Sequence, residues 1–595
     1  MTRSEKEKKI KDIENKLDDL PSGAIATKKV GGREYYYLRK RIAGKLTEKY
    51  IPLKDLEDVK NEIEERRRLE EELGDLEETE ASPYYTNITT GSDLERVTLP
   101  VRDYRKREIF SSLDKYIHSD ISGRVFILFG LRRTGKTTLM KQLILTLSAE
   151  ERDRTAFIQI TPSDTLSSLN RDLRVLEREG IRYVFIDEVT LLDEFIEGAA
   201  FLSDIYGSMG MKIVLSGTDS LGFVLSSWDE LYDRTVMFHT TFIPYREFEN
   251  VLGVKGIDSY ILYGGTMCIS GSRYNSRSPF EKEKDADEYV DSSIARNIQH
   301  SLMHYRDGGH FKPLYDLYEK NELTSAVNRV VEDMNHRFTV EVLTRDFRSS
   351  NLAISKRNLR KDRNNPSDVL EYADTEAVTT RLRELLEIRN RDEQTIEITD
   401  TAASAIKEYL LELDIIREVD VVFLAETRER DKRILISQPG LRYAQAKALI
   451  ESLMEDRTFD SLPAEKKEEV RERILSEIRG RMLEDIILLE TSLAFPKKDV
   501  FVLRFPVGEF DMVVADRDEI SCEIYEIKHS DRVVPDQYRH LRDEEKCRRT
   551  EHFYGPIISR TVLYRGESTE VGNIRYMNIE EYLKSLPQGE TVTWL

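Results

Sequence analysis

Between residues 102 and 265, short apolar runs alternate with amphipathic stretches. Val125-Phe-Ile-Leu-Phe129, Ala156-Phe-Ile-Gln-Ile160, Tyr183-Val-Phe-Ile-Asp187 and Lys212-Ile-Val-Leu-Ser216 each end in or lead to polar residues. Such runs, separated by helical patterns, predict a parallel sheet covered on both faces. Functional side chains then gather at the carboxyl ends of its strands. Elsewhere the pattern differs. Residues 24–30 and 34–40 read as two strands about a tight Gly31-Gly32 turn, and 45–51 as a third. Residues 53–80 are strongly charged, with Val59, Ile63, Leu69 and Leu73 near helical spacing, and predict an exposed or coiled-coil helix. Residues 316–450 read as mainly helical. Inside them, the helical run 402–411 is followed by the apolar runs 421–424 and 433–436, a winged-helix pattern. The final segment returns to alternating strands and helices.

A length of 595 residues predicts about three to five domains. The boundaries read as an N-terminal helix and β-hairpin module with a charged helix at 1–80, then a linker at 81–98 rich in Ser, Thr, Pro and Gly. A core at 99–265, a helical region at 266–390, a winged-helix-like region at 391–450 and an α/β segment at 465–595 follow. The net charge of −20 argues against non-specific adhesion of the whole chain to nucleic acid. A local basic stretch remains, in which Arg345, Arg348, Lys356, Arg357, Arg360, Lys361 and Arg363 outnumber Asp346 and Asp362. Charge runs of this kind usually mark a solvated helix or loop. No apolar run reaches the ~18–20 residues needed to span a bilayer, so no membrane partner is expected. The charged start is not followed by an apolar core of a secretion signal. Cys268, Cys522 and Cys547 are far apart and match no metal spacing. The expected setting is the reduced cytoplasm.

The chemistry begins where the first strand ends. Gly130-x-x-x-x-Gly135-Lys136-Thr137 is a full phosphate-binding loop pattern between a strand and a helix. Its backbone N–H groups wrap around phosphates, and the helix after it adds its positive end. Gly130 and Gly135 permit torsions and close approach that a side chain would block. Lys136 supplies a charge for the β- and γ-phosphates and the Thr137 hydroxyl a ligand for Mg²⁺. Arg133, Thr134 and Thr138 complete the loop. Asp187 and Glu188, at the tip of a later strand, fit a Mg²⁺-holding carboxylate and a base for the attacking water. Ser216, with Thr218 beside it, ends the next strand and could orient water or the γ-phosphate. Arg234 could neutralise transition-state charge in cis or across a subunit boundary. ATP and Mg²⁺ are the cofactors these residues call for.

Together, Gly130-Leu-Arg-Arg-Thr-Gly-Lys-Thr-Thr138, Phe185-Ile-Asp-Glu188, the strand ending Ser216-Gly-Thr218, Leu231-Tyr-Asp-Arg234 and Tyr263-Gly-Gly265 resemble a prokaryotic AAA-type P-loop ATPase. They are similar to the archaeal and bacterial GxRRxGKT group, whose members often carry a C-terminal endonuclease-like domain. The Ser-Gly-Thr end departs from the Asn common in AAA+ machines, which puts a remodelling ring in doubt and leaves a switch-like ATPase open. Near the C-terminus, Gly508-Glu-Phe-Asp511 and Cys522-Glu-Ile-Tyr-Glu526-Ile-Lys528 would bring Asp511, Glu526 and Lys528 together on neighbouring strands. That set resembles the D…ExK core of restriction-endonuclease-like folds, with Phe510 where proline is common. Glu484 fits the extra upstream acid, and Gln537 a further polar contact. The resemblance implies Mg²⁺ held by the carboxylates and water positioned by Lys528. The first residues also resemble, weakly, a Tyr-rich hairpin module of prokaryotic proteins.

The fold class expected is therefore α/β. It comprises a P-loop NTPase parallel sheet, a small N-terminal α+β module, a helical and winged-helix middle region, and a C-terminal restriction-endonuclease-like α/β domain. The leading expectation is a P-loop ATPase whose nucleotide state controls the C-terminal module. An ATP-regulated, metal-dependent DNA nuclease and a non-catalytic nucleotide-gated scaffold are the alternatives. DNA is the further partner considered, through the middle and C-terminal regions, and oligomer formation is left open.

Overall fold

The structure, a computed structural model, describes residues 24–30, 33–42, 45–77, 84–120, 122–192, 200–218, 234–240, 242–265, 289–295, 312–320, 322–348, 398–424, 428–455, 463–587 and 592–594, with a few single positions between. The turn 31–32, the segments 219–220 and 231–233, and the basic residues 356–363 lie outside the described residues. Two compact units result, Met1–Tyr85 and Thr86–Leu595.

In the first unit, β1 (Ala24–Val30), β2 (Arg33–Ile42) and β3 (Lys45–Ile51) form an antiparallel sheet in that order. Its register sets Tyr36 opposite Thr27 and Ile51. Helix α1 (Leu56–Glu77) follows and buries Leu56 and Ile63, members of its sparse apolar repeat.

The second unit opens with β4 (Asn87–Thr90) and α2 (Ser92–Thr98), inside the stretch read from sequence as linker. Next come α3 (Phe110–Ile117), β5 (Val125–Phe129), α4 (Lys136–Thr146), β6 (Thr155–Gln159), α5 (Leu166–Arg178), β7 (Tyr183–Asp187), β8 (Lys212–Gly217) and β9 (Thr235–His239). Strands β5 to β9 are parallel; β5 lies between β9 and β8, and β7 lies beyond β8. All five β5 residues are buried, as its unbroken apolar run requires. The linker reading fails for a physical reason. Strand β4 pairs antiparallel with β6, setting Ile88 against Ile158. Just before it, the Thr86 N–H and hydroxyl both donate to the fully buried Asp172 carboxylate at 2.7 Å. Polar residues that suggested a free connection are spent on the sheet edge.

Helices α6 (Tyr245–Leu252) and α7 (Ile257–Tyr263) leave this sheet. Then come α8 (Lys312–Glu319), α9 (Leu323–Arg348), α10 (Asp400–Glu412), the hairpin β10 (Ile416–Leu424) and β11 (Arg428–Ile436), α11 (Pro439–Met454) and α12 (Ala464–Ala494). The rest is β12 (Asp499–Arg504), β13 (Glu509–Asp516), β14 (Ser521–Ile527), α13 (Glu544–Tyr554), β15 (Ile557–Tyr564), β16 (Thr569–Val571), β17 (Ile574–Asn578), α14 (Ile579–Ser585) and β18 (Val592–Trp594).

The hairpin read as a wing belongs to the C-terminal sheet, whose order is β11-β10-β12-β13-β14-β15-β17-β16. Strand β10 pairs parallel with β12, Val421 meeting Val502. The boundary expected between residues 450 and 465 thus separates segments of one sheet. That at 265 is crossed by packing: one buried cluster joins Phe248, Tyr260 and Ile261 of α6 and α7 to Ile478 and Ile487 of α12, and to Met512 and Leu563. Strand β18 returns to the first sheet, pairing antiparallel with β9 and completing the order β18-β9-β5-β8-β7-β6-β4. Among the described residues no helix is long and apolar enough to cross a membrane.

Candidate functional site

Strand β5 ends at Phe129 and the chain turns at Gly130, whose φ is +126°. A Cβ there would lie 2.4 Å from the Thr240 carbonyl oxygen, so a side chain is excluded both by torsion and by space. Gly135, at φ +90°, then starts α4 in the left-handed region. Arg133 is also left-handed, at φ +67°, and its guanidinium lies 5.7 Å from the Tyr289 ring centre. Thr134 Oγ1 is 2.9 Å from the Leu131 carbonyl oxygen and 3.0 Å from Thr240 Oγ1. Lys136 is buried, and its ammonium donates to the Gly130 and Leu131 carbonyls at 2.8 and 2.7 Å. Burial pushes its pKa down to about 8, against the pull of Glu188 and Asp187.

Sheet order does the next step. Because β8 separates β5 from β7, Ser216 is placed between Leu128 and the Asp187 tip. Asp187 is buried, and accepts from Thr137 Oγ1 at 2.8 Å and from Ser216 Oγ. Glu188 turns away at φ +57°, and one of its carboxylate oxygens accepts from Thr218 Oγ1 at 3.3 Å. Thr138 is half-buried in the first turn of α4. Lys136, Thr137, Asp187, Glu188, Ser216 and Thr218 therefore converge at one end of the sheet.

Arg234 does not join them. The register pairs Thr235 with Val125 and His239 with Phe129, and Val125 N–H donates to the Arg234 carbonyl at 2.9 Å. At ~3.3 Å per strand residue, this sets Arg234 roughly 20 Å from the loop. Its side chain pairs with Asp204 at 2.8 Å. A cis role at the γ-phosphate is corrected by the strand direction: residues 235–239 carry the chain from Arg234 toward the site.

Three features escaped the sequence reading. Buried Arg107 pairs with buried Glu247 at 2.5 Å and donates to the Thr134 carbonyl at 2.7 Å, fixing the loop to α6. Thr240 Oγ1 donates to the Phe129 carbonyl at 2.8 Å. His239 stacks on Phe129 at 4.6 Å and meets Asp414 at 2.7 Å, joining the loop to the turn before β10. Arg107 stands in the run Arg105-Lys-Arg-Glu108, which reads as solvated surface, and nothing in the sequence ties it to a glutamate 140 residues on.

At the other sheet, β13 and β14 place Asp511 opposite Glu526, one step beyond the Met512–Tyr525 pair. The Lys528 ammonium bridges them, 2.8 Å from Asp511 and 2.7 Å from Glu526. Burial, then the Asp511 charge, push the Glu526 pKa well above its ordinary value. Burial opposes the Asp511 charge too, but Lys528 and the Ile527 N–H, 2.7 Å away, outweigh it and hold that carboxyl below its usual range. Glu526 Oε1 is buried without a hydrogen-bond partner. Burial raises Glu484, opposed by Arg481, which pairs with it directly; the Asp511 charge raises it further. All four residues are thus near one another. Gln537 caps Val534 N–H with its carbonyl at 3.1 Å, accepts there from the Tyr576 hydroxyl at 3.2 Å, and donates its amide to the Arg532 carbonyl. His540 and Lys546, which the motif did not point to, lie nearby. Burial, then Lys546, push the His540 ring down to about 4. Among the described residues no group of three His, Cys, Asp or Glu is arranged to hold a metal ion, and the Lys528 ammonium fills the space between the two carboxylates.

Residues 122–249 match the family described as AAA domain, which places an AAA-type P-loop ATPase-like region here. Residues 3–61 match a domain of unknown function (DUF6788). No curated protein matches the chain. Among solved structures, PCH-2 of C. elegans is similar at 15% identity and a TM-score of 0.18, over 37% of this chain. The match spans 64% of that protein, short of two thirds. The ORC1 protein of Aeropyrum pernix, solved in complex with DNA, is similar at 12% identity and a TM-score of 0.21, over 60% of this chain and 94% of that one. Likenesses of this size say nothing about what this chain binds.

Proposed function

We propose that the loop at Gly130–Thr138 binds Mg²⁺-ATP and hydrolyses it, and that the nucleotide state governs the C-terminal charged cluster. The convergence of Lys136, Thr137, Asp187 and Glu188 at the end of the sheet carries this reading. Lys136 now holds two loop carbonyls; phosphate oxygens would draw its ammonium to themselves. Thr137 and Asp187 offer adjacent hard oxygens, the ligand type Mg²⁺ takes, and the ion supplies charge neutralisation on the phosphates. Glu188, steadied by Thr218, takes the proton of the attacking water. A path to the other sheet runs through α7. Its Asp258 meets His529 at 2.9 Å and Arg565 at 2.6 Å, and His529 adjoins Lys528. Equilibrium binding of ATP tests the site. Lys136→Ala should weaken ATP at least tenfold, and unchanged affinity would remove the loop from nucleotide binding.

The second reading is metal-dependent phosphodiester cleavage at Asp511, Glu526 and Lys528, with DNA as substrate. The partnerless, buried Glu526 Oε1 beside Asp511 favours it. It requires Lys528 to leave the space between the carboxylates. Mg²⁺- or Mn²⁺-dependent cleavage of DNA that Asp511→Ala abolishes would support it, and cleavage indifferent to that change would reject it.

A further inference from the structure

A cavity of about 710 Å³ opens among α9, α10, β11 and α12, beside the C-terminal cluster and apart from the phosphate loop. Its volume falls within the ~300–1,000 Å³ of small-molecule sites. Eight lining side chains are Lys or Arg and three are Asp or Glu, in a chain of net charge −20. Three guanidiniums sit deepest, those of Arg433, Arg442 and Arg481, with only 9%, 3% and 10% of their side chains exposed. They share two carboxylates. Arg433 and Arg442 both pair with Asp485, and Arg433 and Arg481 both reach Glu484. Burial, with the repulsion of Arg433 and Arg481, pushes the Arg442 pKa down to about 10 despite Asp485. Val330, Met334, Phe338 and Ile398 add apolar lining, interleaved with Arg329, Asp333 and Arg337 of α9, and Phe338 carries the Arg442 guanidinium 4.3 Å from its ring centre.

Forked guanidiniums held in fixed geometry match phosphate oxygens two at a time, and aromatic and aliphatic lining beside them matches a heterocyclic ring. We propose that this cavity binds a short dinucleotide, its phosphates on the guanidiniums and a base against the apolar lining.

Isothermal titration of the full chain carrying Lys136→Ala, which silences the phosphate loop, isolates the cavity. The probe is the dinucleotide pApA, with inorganic pyrophosphate and a 12-nucleotide single strand as comparisons. One pApA per chain should bind, and pyrophosphate should compete weakly because it lacks the base. Arg433→Lys, which keeps the charge and loses the fork, should weaken pApA about tenfold. Phe338→Ala, which breaks no ion pair, should do the same. No binding of pApA, affinities equal across these variants, or a single strand preferred more than tenfold would each overturn the assignment.

Discussion

At the residue scale, Lys136 shows how a functional charge is stored. Its ammonium is buried against its own loop, so the protein holds it at a cost that a phosphate would remove. Because burial lowers its pKa to about 8, a part of the free protein carries the neutral amine at that pH. Bound phosphates favour the charged form and raise the pKa again. Binding should therefore take up roughly half a proton per site near pH 8 and almost none near pH 6.5. Titration calorimetry in buffers of different ionisation enthalpy measures this, and equal uptake at both pH values would contradict it. Lys136, Thr137 and Asp187 were legible in the sequence because their motifs encode contacts made within one loop and at one strand tip. Arg107 and Glu247 were not, since a buried pair between two charged runs looks like two solvated ones. Arg234 was legible as a charge but not as a position, because a strand's direction in the sheet is invisible until its register is known.

At the scale of elements, the strands β5, β6, β7 and β8 could be read from apolar runs, while the ends of the segments could not. The Thr-rich start of the second unit looked like linker until Asp172 accounted for Thr86. The β10–β11 hairpin looked like a wing, since only its parallel partner β12, some 80 residues on, makes it part of a larger sheet. The contact between α6 and α12 is of the same long-range kind, and it titrates. Glu490 of α12 accepts from the Tyr245 N–H at 2.8 Å, and burial raises its pKa from 4.5 to about 7. The folded state thus holds a proton that the unfolded chain gives up. Its contribution is fully present below pH 4.5 and is lost as pH rises through 7, by ~3 kcal/mol in all. Glu490→Gln keeps an acceptor for Tyr245 and cannot ionise. Urea unfolding at pH 5 and pH 7.5 should show a smaller difference in this variant than in the wild type; the same difference in both would exclude Glu490 as the source.

At the scale of the molecule, the second unit is built so that neither sheet stands by itself. Helices α6 and α7 leave the first sheet and pack into the core of the second, and β18 leaves the second and pairs with β9 of the first. Gly130 abuts His239 and Thr240, and His239 meets Asp414 in the turn before β10, so a nucleotide bound as proposed would bear on that turn. Coupling of this kind needs two arrangements that ATP and its products favour differently. Hydrolysis is what would drive the chain between them, so it is the claim on which the rest depends. Steady-state phosphate release with Mg²⁺-ATP tests it most directly, on the wild type beside Glu188→Gln. Turnover by the wild type that falls a hundredfold or more in the variant, with ATP binding retained, is the result predicted. Turnover equal in the two proteins would contradict the account.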